Sequence, residues 1–297
     1  MKRVIVIGAG VAAIFLLLAL ATRERDFDPE RLNEIALAAV DLHGEACRAK
    51  PDLGHIRGLY RQGGVEKMVR LVDSKLDLRF ASKYKEGIEI AKGSLAPSVN
   101  TQISALTISR AFWEYMQLRK PEKGPEEIER GIAAARAVDE TLAINRHLDH
   151  PPVTPLDGAL REVRTRMHTA AKKAREEGGK GYDALLSETR TALVLSVLVE
   201  VYRAEKYAAE NPDSAESISA AMHQARALQY FNMIYSDVGK EFRQEVVRIS
   251  DDLRERPIQV ATLHAVRRDL LTAFRGYTPN IQPEWFEMHY VSGDDPS

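Results

Sequence analysis

The residues able to do chemistry are few, and their spacing is informative. His43 and Cys47 stand four positions apart, one helical turn, which would place two metal ligands on one face. They sit beside Ala36 and Val40 at the edge of an apolar stripe, where a core thiol next to a hydrogen-bonded histidine accounts for them equally well. His147, Asp149 and His150 cluster just before Pro151. A histidine near a helix C-terminus is favoured by its charge alone, so that cluster does not require a metal. Phe112, Trp113, Tyr115 and Met116, and again Tyr230, Phe231, Met233 and Tyr235, could line a ligand pocket. Aromatic and methionine residues at helical spacing are more commonly core.

Known catalytic spacings are missing. None of the eight histidines has a glutamate three positions before it, as a di-iron carboxylate bundle requires. The sequence also lacks Cys-x-x-Cys-His, His-Glu-x-x-His, Gly-x-Ser-x-Gly and a phosphate loop. Gly8-x-Gly10-x-x-Ala13 after an apolar run matches the dinucleotide fingerprint. That reading fails on the residues beyond Ala13. Ile14 to Leu20 is apolar on every side, where the fingerprint needs a helix with a polar face and then a second strand. No catalytic residue, metal ligand or cofactor is therefore assigned, and the chain is expected not to be an enzyme. An active site assembled only by the fold stays open as a third reading.

The stretch Val4–Ala21 carries no charge, and eleven of its eighteen residues are Val, Ile, Leu or Phe. As a helix it would rise about 27 Å, close to the hydrocarbon thickness of a bilayer. Val4, Ile7, Val11, Ile14, Phe15 and Leu18 are the expected lipid-facing residues of an anchor. The competing reading is a signal peptide, with Lys2 and Arg3 as its basic start and Ala19-Leu20-Ala21 as its cleavage site. The greasiest residues, Leu16 to Leu20, lie next to that site, which favours retention. Basic residues flank both ends, so the expected extracytoplasmic (periplasmic or extracellular) body rests on the short basic N-terminus staying inside.

Totals limit the alternatives. The 297 residues carry 42 Lys and Arg against 43 Asp and Glu, a net charge of −1, so no basic excess points to nucleic acid. Lys172, Lys173 and Arg175 are offset at once by Glu176 and Glu177. With Cys47 the only cysteine, an internal disulfide is impossible.

The elements that would position any site are helices. Asp28-Pro29-Glu30 opens one over 29–48, with a capping residue, proline at the first position and an acid for the dipole. Pro51, Gly54, Gly58, Gly63 and Gly64 read as a broken stretch, and Val65–Lys92 as a helix with a kink near Leu76 to Phe80. Further helices are expected from Pro97 through Met116, from Ile128 to His147, from Thr154 to about Arg175 and from Tyr182 to Glu210. Three more run over Ala215–Tyr235, Lys240–Arg254 and Ile258–Phe274. Gly178-Gly179-Lys180-Gly181 reads as a flexible break, and Leu193–Val201 as core. Residues 104–109 and 135–137 echo 191–196 and 225–227, a pattern suited to repeated hairpins. Residues 112–145 are loosely similar to a tetratricopeptide unit without matching its key positions.

The expected architecture is all-α, an N-terminal transmembrane helix followed by eight to ten helices in antiparallel hairpins, as a bundle or short solenoid. The expected division is 1–25 anchor or signal, 26–150 and 151–275 helical regions, and 276–297 an extended tail. Trp285, Phe286, Met288 and Tyr290 in that tail are the candidate partner-binding residues. The leading function is a membrane-anchored interaction protein, scaffold or accessory subunit, with the lipid bilayer and other protein subunits as partners. The alternative is a cleaved periplasmic or secreted bundle binding a small ligand, metal or haem non-covalently.

Overall fold

A computed structural model describes residues 27–147, 156–210, 218–235, 242–254 and 259–274. These residues form eleven α-helices and one 3-10 turn, with no strand among them. The helices are α1 (Pro29–Ala46), α2 (Leu53–Gln62), α3 (Val65–Leu76), α4 (Phe80–Gly93), α5 (Pro97–Gln117), α6 (Pro125–His147), α7 (Leu156–Glu177), α8 (Gly179–Glu210), α9 (Ile218–Ile234), α10 (Arg243–Asp252) and α11 (Val260–Phe274). No helix among the described residues is long and apolar enough to cross a membrane. The run with Val4, Ile7, Val11, Ile14, Phe15 and Leu18 lies outside the described residues, as does the tail with Trp285, Phe286, Met288 and Tyr290.

Helix starts follow local chemistry. Asp28 caps α1 by accepting from the Arg31 N–H at 2.8 Å, and Pro29 takes the first helical position. The all-helical expectation holds, and three details are corrected. The glycine-bearing stretch after Pro51 is helix α2. Asp52 accepts from the backbone N–H groups of Gly54 and His55, and Ile56 and Tyr60, one turn apart, bury themselves in the core. Capping and burial together outweigh the roughly 1 kcal/mol that each interior glycine costs. The expected kink near Leu76 is a full break. Asp77 adopts φ +52° and the Asp73 carboxylate caps α4 by accepting from Phe80 and Ala81 N–H at 2.7 and 2.9 Å. The glycine run at 178–181 is a single-residue turn: Gly178, at φ +66°, joins α7 directly to α8.

One apolar cluster draws residues from α1 through α11. Its axis is α8, whose 32 residues extend about 48 Å. From Thr191 to Glu205 every residue of α8 is buried, because α7 and α9 cover two sides and α11 and α6 contact the others. The N-terminal helices attach through specific contacts. The Thr101 hydroxyl of α5 donates to the Ala46 carbonyl at the end of α1, and Ser109 donates to Thr141 between α5 and α6. The Tyr182 hydroxyl of α8 donates to the Met116 carbonyl at the end of α5, at 2.7 Å. Gly131 makes that bond possible, since a Cβ there would stand 2.2 Å from the Tyr182 oxygen.

Candidate functional site

An apolar helix buried on all sides should carry no ionised group unless that group is paired. Yet α8 carries Glu200, Arg203 and Glu205 inside its buried stretch. Neighbouring helices supply the partners. His223 and Arg226, one turn apart on α9, both reach Glu200: His223 Nδ1 lies 2.7 Å from Oε2 and Arg226 Nη2 3.1 Å from Oε1. Arg203, one turn along α8, adds its Nη1 at 3.3 Å. The His223 ring lies parallel to Tyr207 at 5.3 Å between centroids. Burial pushes the Glu200 carboxyl upward, but Arg226, His223 and Arg203 together outweigh it and hold it at about 2.

The same device recurs on α11. His264 Nε2 lies 2.6 Å from one Glu205 oxygen, and Arg267 Nη2 lies 3.3 Å from the other. The Arg267 guanidinium also covers the Tyr202 ring at 4.4 Å, a cation–π contact. A third version joins α6 to α7. Asp139, buried on α6, accepts a bidentate pair from Arg164 and lies 3.1 Å from His168 Nε2. Each clamp is thus one carboxylate held by a histidine and an arginine from the adjacent helix. A carboxylate–histidine pair is the orienting half of acid–base catalysis. Here every such pair is also tied to a guanidinium from the same neighbouring helix, which fixes helix register.

Two concavities adjoin these elements. A groove of about 390 Å³ between α6, α7 and α8 is lined by Asp139, His168, Arg136, Glu140, Arg175 and apolar side chains, with no Ser, Thr or Cys among its lining residues. A second, of about 400 Å³, lies where the start of α4 meets α5, the end of α9 and α10. It is lined by four cationic side chains, Arg79, Lys83, Arg110 and Arg254, and by no Asp or Glu. The Arg110 guanidinium lies 5.1 Å from the Phe80 ring centre and 5.7 Å from that of Tyr235.

No known protein family, curated protein or solved structure matches this chain. The chemistry is accordingly read from the residues alone.

Among the residues singled out by sequence, Phe112, Trp113, Tyr115 and Met116 are wholly buried core. Tyr230, Phe231 and Met233 are also buried, whereas Tyr235 is 41% exposed and lines the cationic groove beside Phe231. His43 and Cys47 are both buried at the end of α1, where the Cys47 N–H donates to the His43 carbonyl. No group of three His, Cys, Asp or Glu side chains suited to a metal occurs among the described residues. His147 ends α6, and Asp149 and His150 lie outside the described residues.

Sequence reasoning missed the clamps. Their signal was present: His-x-x-Arg occurs at 223–226 and again at 264–267, each placing both side chains on one helix face.

Proposed function

We propose that this chain is a non-enzymatic, membrane-tethered helical interaction protein, an accessory subunit or scaffold of a larger assembly. The observation that carries the reading is the uncharged run Val4–Ala21, long enough to span a bilayer. The helical body adds support. Its buried carboxylates are engaged by its own arginines and histidines, an arrangement that rigidifies the helices rather than activating a reacting group. The turn between α4 and α5 presents Leu95 fully to solvent, with Ile90 half-exposed nearby, an apolar tip suited to a protein partner. In this reading the body lies outside the cytoplasm as a stack of helical hairpins, and Trp285, Phe286, Met288 and Tyr290 add contacts to the partner.

The test is intact mass spectrometry of the native protein extracted from membranes in mild detergent. A chain beginning near Met1 that arrives with stoichiometric protein partners is the expected result. A soluble chain beginning near Thr22 without partners overturns the tether and leaves a secreted helical bundle.

A further inference from the structure

Cationic side chains usually spread over a surface, and many of those among the described residues pair with acids. The groove between α4, α5, α9 and α10 departs from that rule. Arg79 and Lys83, at and just after the start of α4, have no carboxylate within ion-pair distance among the described residues. Arg110 comes from the middle of α5 with its side chain only 14% exposed, and its nearest carboxylate oxygen, on Glu114, stands 3.8 Å away. The Arg110 Nε is buried without a hydrogen-bond partner. Arg254, beyond the end of α10, lies 3.5 Å from Asp251. Of the acids before α4, Asp73 is occupied by the Phe80 and Ala81 N–H groups, and Asp77 is exposed at the break. Glu114 and Asp251 stand beside two of the four cations, while the groove's lining itself contains no Asp or Glu.

The walls say more than the charge. Tyr235 is 41% exposed, unusual for a large aromatic residue at the end of a packed helix, and its ring faces the Arg110 guanidinium. The Phe80 ring also lies against that guanidinium, at 5.1 Å. Val246 and Val247 of α10 complete an apolar wall, and Asn232 and Ser250 add hydrogen-bonding groups. A volume of about 400 Å³ falls in the range of small-molecule sites, which run from roughly 300 to 1,000 Å³.

We propose that this groove binds a small phosphate monoester with a flat apolar body, its phosphate among Arg79, Lys83 and Arg110 and its body against Tyr235 and the α10 valines. A phosphate monoester carries a charge of about −1.5 to −2 at neutral pH, which suits a lining that holds four cations and no carboxylate. Arginine suits its oxygens through paired N–H donors. The site stands independently of the proposed membrane tether.

Isothermal titration calorimetry of the full chain in mild detergent tests it, with 1-naphthyl phosphate, inorganic phosphate and 1-naphthol as probes. Saturable binding of naphthyl phosphate, at least about tenfold tighter than either fragment, is expected, equivalent to about 1.4 kcal/mol. The double substitution Arg79→Gln/Lys83→Gln alters exposed side chains only. It should weaken naphthyl phosphate about tenfold or more while leaving the melting temperature unchanged. Raising salt should weaken the wild type and affect the double variant less. Absence of saturable binding at millimolar probe overturns the site. Equal affinity in the double variant places binding elsewhere and also overturns it. Equal affinity for phosphate and naphthyl phosphate, or for naphthol and naphthyl phosphate, overturns the ligand class.

Discussion

Replacing Glu200 with glutamine would test whether the clamp on α8 is as tight as its geometry implies. The substitution keeps size and shape, yet it leaves Arg203 and Arg226 facing a neutral amide in a region where Glu200, Arg203, His223 and Arg226 are each at most 3% exposed. The Glu200 carboxyl is held at about 2 against an ordinary value of 4.5 because the cations outweigh its burial. That difference corresponds to about 3 kcal/mol of preferential interaction with the charged form. Breaking a buried ion pair from one side costs about 3–5 kcal/mol, and a loss of that order is expected here. At about 2–4 °C per kcal/mol for a large domain, a loss of about 3–5 kcal/mol should lower the melting temperature by about 6–20 °C.

Thermal unfolding followed by far-ultraviolet circular dichroism would read the shift directly, with urea unfolding giving the free energy. The pH dependence supplies an independent check. A carboxyl with a lowered folded-state value contributes stability that is full above about pH 4.5 and is lost as pH falls toward 2. The gap between wild type and Glu200→Gln should therefore be widest near neutrality and shrink through that window. Glu89→Gln, on an exposed carboxylate that meets Arg57 and Lys92, is the control and should not move the melting temperature measurably. A loss below about 1 kcal/mol at pH 7, against the 3–5 expected of a buried pair, would refute the clamp, as would a gap that does not narrow in acid.

Gly131→Ala should destabilise the body by about 1–3 kcal/mol, because the new methyl displaces the Tyr182 ring and its bond to Met116; denaturant unfolding measures it. Tyr182→Phe should cost about 1 kcal/mol by the same assay, since the Met116 carbonyl keeps the Arg119 N–H. Tyr60→Phe should be neutral or slightly stabilising: its hydroxyl is buried without a partner and its ring, stacked on Tyr84 at 4.1 Å, is retained. Burial also pushes the Tyr60, Tyr84 and Tyr182 hydroxyls upward. In an alkaline absorbance titration these three should stay un-ionised until the protein unfolds.

Legibility from sequence followed the range of the interactions. Helix α1 was readable because its Asp28 cap, period and apolar stripe lie within the segment, α5 and α6 because of their helical period beside Pro97 and Pro125, and α8 because of its long apolar run. Helix α2 was not, because its glycines at 54 and 58 argue locally against a helix that only Ile56 and Tyr60 packing on other segments can supply. The break at Asp77 was half-visible: periodicity faltered there, but the capping of α4 by Asp73 needs the turn already formed. At the site level, Glu200 stood out only as a charge in an apolar run. Its His-x-x-Arg partners lie more than twenty positions away, and nothing local says which acid they meet. The cationic groove was out of reach, since its lining comes from four helices between Leu78 and Arg254.

The single-glycine turn at Gly178 bears on the order in which the chain acquires structure. With no loop to close, α7 and α8 meet through contacts that are short in sequence, and Gly181 lets them approach to where a Cβ would lie 2.4 Å from the Lys173 carbonyl oxygen. Local pairings of this kind form faster than distant ones. The α7–α8 hairpin is then expected to form early in refolding, ahead of the more distant contacts that α8 makes with α6 and α11.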